Sequence, residues 1–183
     1  MAVKITYFIH GTTIDNQDHR STGWNPGELS ELGIAQSKEL KNQTDLTIFD
    51  AVFSSDLKRA VDSARLNFGE SVEIIQDKRL RECNYGDLNG APSDQVVYED
   101  HIDEPFPNGE SIQDVVNRIK DFCEYLRERE REATTANISP LLHTKPRNLL
   151  LKLLPMVKLW KRRLLTIGAN KSQKPGNPVG SMR

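Results

Sequence analysis

Acidic residues are missing from the last quarter of this 183-residue chain. All 26 Asp and Glu precede Ala133, whereas ten of the 25 Lys and Arg fall in 133–183, so a net charge of −11 is followed by one of +10. Drift along a single folded domain rarely separates charge so completely, and something changes near residue 132. Cysteine is also scarce. Cys83 and Cys123 have no metal-ligand spacing and build no disulfide framework, so each reads as a small, partly buried hydrophobe in a reducing, cytoplasmic setting. No run of about 18 apolar residues is present, which excludes a transmembrane helix. Met1 to Ile5 lacks the charged-then-apolar order of a signal peptide. What remains, 37% hydrophobic and 28% charged, suits one globular domain with a sizeable core.

Periodicity alternates along the chain. Val3 to Ile9 is β-branched and aromatic and ends in His10-Gly11, which predicts a buried strand running into a loop. Ser30 is placed to cap a helix carrying Leu32, Ala35, Gln36 and Leu40. Phe49 to Phe53 predicts a second strand, Ser54-Ser55-Asp56 a cap for the helix containing Arg59, Ala60 and Ala64, and Val72 to Ile75 a third strand. Leu80 to Gly90 reads as a loop, and Glu110-Ser111 opens a long helix with Ile112, Val115, Val116, Ile119, Phe122 and Leu126 at helical spacing. Strands alternating with helices predict a layered α/β domain, a three-layer sandwich with a mainly parallel sheet. After residue 132 the pattern fails. Ala133 to Pro140 makes a poor strand, Leu149 to Leu165 is basic, leucine-rich and interrupted by Pro155, and Lys171 to Arg183 has the composition of a disordered end. The expected division is therefore an incomplete domain over 1–132 and an atypical, poorly ordered tail over 133–183, with the last strand and helices lost or altered.

Four segments, in order over about 120 residues, resemble the signatures of the histidine phosphatase (phosphoglycerate-mutase-like) superfamily. Ile9-His10-Gly11-Thr12-Thr13-Ile14-Asp15-Asn16 is similar to Arg-His-Gly-Glu-Thr-x-x-Asn, and Leu29 to Gln36 follows at the expected distance. Ser55-Asp56-Leu57-Lys58-Arg59-Ala60 is similar to Ser-Asp-Leu-x-Arg-Ala. Leu80 to Gly90 is similar to Leu-x-Glu-x-x-Tyr-Gly-x-Leu-x-Gly, and Pro107-Asn108-Gly109-Glu110-Ser111 to Pro-x-Gly-Glu-Ser. Each segment alone is weak; in register together they are specific.

The resemblance implies a metal-independent phosphohydrolase of small phosphorylated metabolites that uses no cofactor. His10 would attack phosphorus in line and form a phosphohistidine, since neutral imidazole is available near pH 7 without an activating base. Arg59 would neutralise the equatorial oxygens as a bidentate cation, with Gly11 and Asn16 completing the phosphate pocket. Glu82 would protonate the leaving oxygen, which requires a raised pKa. His19 and His101 match no signature and read as surface residues. A phosphatase is favoured over a mutase because Gly90 to Pro105 is short.

Two departures bear on activity. Ile9 stands where the family has an arginine, and Thr12 where it has Glu or Gln. The family's second histidine, which follows a late apolar strand, has no counterpart; His143 in Leu-Leu-His-Thr-Lys-Pro does not match it. The neighbouring reading frame does offer one. If each new codon takes the last base of one residue's codon and the first two of the next, residues 138–149 permit Ile-Ala-Val-Val-Ala-His-Gln-Ala-Pro-Gln-Leu. In the same frame Met156-Val157 forces Gly and Trp160-Lys161 forces Glu, which returns acid to a region without any. This points to one base gained or lost near Glu128 to Ala133. The rival readings are a pseudoenzyme that binds phosphorylated ligands, and an evolved tail in which Leu149 to Leu165 forms a basic amphipathic helix for an anionic membrane or nucleic acid. Pro155 and the lack of an aromatic platform weigh against the latter, so neither partner is expected.

Overall fold

The computed structural model describes residues 4–43, 45, 48–69, 72–135 and 148–152. Within these, the strand-forming stretches assemble a four-stranded parallel sheet. Its members are β1 (Lys4–Tyr7), β3 (Phe49–Ser54), β4 (Ile74–Gln76) and β6 (Asn148–Lys152), in the spatial order β1-β6-β3-β4. A second sheet is small and antiparallel, pairing β2 (Arg20–Ser21) with β5 (Ala91–Pro92). Successive side chains of a strand point to opposite faces, and β3 uses both. Val52 packs with Ala64 and Phe68 on one side, while Phe53 meets Leu80, Phe122 and Leu126 on the other. The first face is covered by α3 (Lys58–Phe68), against which α2 (Glu31–Gln43) lies, and the second by α4 (Ile112–Thr135). The result is the predicted three-layer α/β sandwich.

Helix boundaries follow local chemistry. Ser30 caps α2, its Oγ accepting from the Gly33 amide at 3.2 Å. Ser111 and Asp114 cap α4 reciprocally, Asp114 N donating to Ser111 Oγ at 3.1 Å and Ser111 N to Asp114 Oδ2 at 2.9 Å. Ile112, Val115, Phe122 and Leu126 of α4 are buried, as their spacing predicts. The remaining helix, α1 (Ile14–Gln17), is a single turn capped by Thr13.

Two expectations need correcting. The cap predicted for α3 from Ser54-Ser55-Asp56 is not used. Leu57 is the capping residue and has no side-chain hydrogen bond, while Asp56 is taken by Arg81 at 2.6 Å. The strand at Val3 to Ile9 is only half-buried, with Ile5, Tyr7 and Ile9 exposed on alternate positions. A late strand is also present, but altered in origin: it comes from Asn148–Lys152, at the head of the basic leucine-rich segment, and pairs with β1 on one side and β3 on the other. Those residues are four leucine-and-lysine positions and an asparagine, long enough for one strand before Pro155. Apart from 133–135 at the end of α4 and the strand β6, the expected poorly ordered tail lies outside the described residues, including the proposed hidden strand, 138–142, and His143.

Candidate active site

His10 stands three residues beyond β1, at the carboxyl end of a parallel strand, where loops of such sheets gather ligand-binding groups. Its loop is fixed by backbone contact. A Cβ on Gly11 would lie 2.3 Å from the Gly33 carbonyl oxygen, and one on Gly33 would lie 2.0 Å from that of Thr12. Only glycine at both positions lets the loop touch the first turn of α2. Ser30 N and Oγ both donate to Thr12 O at 3.0 Å, and Gln36 Oε1 accepts from Thr12 N and Oγ1 at 3.0 and 2.9 Å. His10 Nδ1 is 2.7 Å from Gly11 O. A carbonyl oxygen only accepts, so Nδ1 carries the hydrogen and Nε2 of the neutral ring keeps its lone pair.

Arg59, in the first turn of α3, has no exposed surface. Nη1 donates to Asn25 O at 3.1 Å, and Nη2 to Gly23 O and to Glu82 Oε2, each at 2.8 Å. Its Nε–H has no partner among the described residues. The loop that wraps it turns at Gly23 and Gly27, both at φ +54°, and a Cβ at Gly27 would sit 3.4 Å from Arg59 Cδ. A two-step bridge connects Arg59 to the histidine loop: Ser63 Oγ donates to Arg59 O at 2.7 Å and accepts from Gly11 N at 3.0 Å.

Glu82 is buried, and both of its carboxylate oxygens are occupied. Oε2 takes the Arg59 bond, and Oε1 accepts from Tyr85 Oη at 2.7 Å, which lies 2.9 Å from Tyr98 Oη. Burial raises the Glu82 pKa above its ordinary 4.5 and outweighs Arg59, the chief group lowering it. The same burial, with Glu82 beside it, holds the Tyr85 phenol far above its usual range, so it stays a donor. A carboxyl that gives up its proton less readily than usual, beside a fixed cation, suits proton donation next to an anion.

Asn16, the expected donor at the pocket's rim, also shapes its own loop. Its Oδ1 accepts from Thr13 N and its own N–H donates to Thr13 Oγ1, both at 3.0 Å, so the side chain closes the capping box of α1. Ile9, 53% exposed, borders a cavity of about 370 Å³ between Ile9–Gly11 and the Gln36–Gln43 face of α2; neither Arg59 nor Glu82 lines it. At the second-histidine position, the β6 register with β1 runs to Tyr7↔Leu151, and the next residues in sequence, Leu153, Leu154 and Pro155, include no histidine. Among the described residues no group of three His, Cys, Asp or Glu is arranged to hold a metal, and no helix is long and apolar enough to cross a membrane. His101 stacks on Phe106 at 3.8 Å between ring centroids, and His19 turns the chain before β2 at φ +54°. Sequence reasoning missed Ser63 and Gly33. The signal for Gly33 was its place inside Leu29 to Gln36, whereas Ser63 left none.

Comparison with known proteins shows the family and agrees with the fold. The family model for the Histidine phosphatase superfamily (branch 1) matches residues 8–172. The chain is 36% identical over 134 residues to fructose-2,6-bisphosphatase TIGAR of Xenopus tropicalis, which covers 67% of this chain and 49% of that protein. It is 35% identical over 128 residues to the 2,3-bisphosphoglycerate-dependent phosphoglycerate mutase of Methylorubrum populi, covering 60% and 59%. Thus the chain spans about half to three fifths of these relatives. The solved structure of Mycobacterial hydrolase 1 superposes with a TM-score of 0.70 at 26% identity, over 91% of this chain and 80% of that one.

Proposed function

The chain belongs to the histidine phosphatase superfamily, branch 1, and from that premise we propose that it is a phosphohydrolase of small phosphomonoesters working through a phosphohistidine on His10. His10 Nε2 attacks phosphorus while the bond from phosphorus to the ester oxygen breaks. Glu82 delivers its proton to that oxygen, and the alcohol departs. Water then attacks the phosphohistidine, Glu82 takes one of its protons back, and phosphate leaves with His10 neutral again. Arg59 offers to the phosphoryl oxygens its Nε–H, which has no partner among the described residues. The observation that carries this reading is the buried Arg59–Glu82 pair, tied through Ser63 and Gly11 to the loop that orients His10. The setting proposed is the cytoplasm.

Turnover by this chain is slow in the same reading. Ile9 supplies no charge where relatives of this signature have arginine, and the segment after β6 supplies no histidine. Loss of one preorganised donor of this kind slows a reaction about 10²–10³-fold. That second observation also favours a rival, a protein that binds phosphorylated ligands without turnover. A brief pulse with a ³²P-labelled aryl phosphate at pH 6–7 separates the two. Label on His10, lost in His10→Ala, is the expected result. Ligand protection without any label would establish the binding-only reading, and label on another residue would remove His10 from the mechanism. Transfer of the label to an added alcohol rather than to water would instead indicate a mutase-type transferase.

A further inference from the structure

One half-buried cation has no part in the chemistry above. Arg118 projects from the second turn of α4 and uses every donor it has. Nη1 donates to the carbonyls of Arg79 and Arg81 at 2.6 and 2.7 Å. Nη2 donates to the carbonyl of Glu82 at 2.9 Å and to Glu110 Oε2 at 3.1 Å, and Nε to Glu110 Oε1 at 3.0 Å. Glu110 continues the clamp: its Oε2 accepts from Asn84 N and its own N donates to Asn84 O, both at 2.8 Å. The backbone is therefore gripped on both sides of Glu82, at three carbonyls before and at it and at the N–H and C=O of one residue after it. From the opposite side Trp24 Nε1 donates to the same Glu82 carbonyl at 2.8 Å. An arginine with a paired carboxylate suits this task because its fork is planar and its geometry fixed.

We propose that Arg118, braced by Glu110, is the positioning residue that holds the 79–84 turn so that the Glu82 carboxyl meets the leaving oxygen. The assignment rests on the reading of Glu82 as the proton donor. Within that turn Arg118 hydrogen-bonds only to main-chain carbonyls, and its charge lowers the Glu82 pKa less than Arg59 and Tyr85 do, so its main effect is on where the acid stands. The consequence is specific. A displaced acid harms esters whose leaving oxygen needs a proton and hardly affects those whose leaving group departs as a stable anion.

The test measures labelling of His10 in single turnovers, with protein in excess, for an alkyl phosphate and for 2,4-dinitrophenyl phosphate. Arg118→Met should slow the alkyl ester about tenfold or more, a fraction of what a general acid contributes. The dinitrophenyl ester should stay within about threefold of the parent, and Arg118→Lys should recover part of the loss, since an ammonium reaches one or two of the carbonyls. Equal slowing of both esters, or none, would overturn the assignment. Glu82→Gln is run beside it. If Glu82→Gln discriminates between the esters and Arg118→Met does not, the positioning role fails alone; if Glu82→Gln does not discriminate either, the reading of Glu82 fails first. Hydrogen exchange needs no activity and decides the structural half. The Asn84 amide should lose protection in Arg118→Met, and an amide as slow as the parent's would mean that the turn is held without Arg118.

Discussion

Replacing Arg59 with methionine would test the site at its most buried point. The substitution keeps much of the side chain's bulk but removes the donors to Asn25 O, Gly23 O and Glu82 Oε2. Removing one partner of a buried ion pair costs about 3–5 kcal/mol. Each orphaned carbonyl adds about 1–3 kcal/mol before water or relaxation relieves it, and such losses do not simply add. A loss of at least about 4 kcal/mol at pH 8 is expected, most of the margin of a domain stable by about 5–15 kcal/mol. The sign of the pH dependence follows from Glu82. Its folded pKa is raised above 4.5, so the folded protein binds more protons than the unfolded chain between those two values. Stability is then highest below the unfolded pKa and falls as pH rises through the folded one. Arg59 lowers the folded value, so the substitution widens this window upward and makes the variant relatively stronger at pH 5 than at pH 8. Urea unfolding of the parent, Arg59→Met and the double variant Arg59→Met/Glu82→Gln at both pH values measures this. The double variant buries no charge and should regain about 2 kcal/mol or more at pH 8. A single-variant loss under about 1 kcal/mol at both pH values, typical of surface changes, would refute a buried pair.

Three further outcomes are expected. Gly33→Ala drives a methyl group into the Thr12 carbonyl, so the melting temperature should drop by several degrees, about 2–4 °C per kcal/mol for a chain of this size, and His10 labelling should fall with it. Cys83, its thiol pushed up to about 12 by burial and by Glu110, should resist iodoacetamide at pH 8 in the native protein and react once unfolded; native alkylation at the unfolded rate would contradict its placement. Expressing the neighbouring frame from about residue 131 should give a more acidic protein with phosphatase activity that needs His10 and the new histidine, and Ile9→Arg in that background should raise it further. An uninterrupted genomic frame across residues 125–150 matching this chain would remove the frame-shift explanation.

Most of the scaffold was legible because its signals are local. Ser30 and Glu110-Ser111 mark helix starts through their own side-chain chemistry, and the α4 spacing gives its buried face directly. The same locality misled at Asp56, whose carboxylate has a sequence-distant competitor, Arg81, that no short pattern reveals. Asn16 shows the complementary limit. A motif records that a residue type recurs, not that the Asn16 carboxamide oxygen also closes a capping box. Arg118 sits eight residues after Glu110, two turns along one helix face, and its real partners are carbonyls, which carry no trace in the side-chain sequence. The strand at Asn148–Lys152 escaped because leucines between an asparagine and a lysine suit a helix or a strand equally, and only the gap between β1 and β3 selects the strand.

That gap also sets the order of events in folding. β1 and β3 share no ladder with each other; each pairs with β6, which is made last of all the described strands. During synthesis at about 5–20 residues per second, the interval from Ser54 to Asn148 lasts on the order of 5–20 s, during which the two earlier strands have exposed edges and no mutual partner. The contacts that close the sheet are long in sequence separation, the kind that slow folding and leave the nascent chain open to other pairings. A change of sequence downstream of residue 135 therefore falls on the keystone of the sheet, and its first symptom in a cell should be chaperone retention of the nascent chain rather than loss of a finished enzyme's turnover.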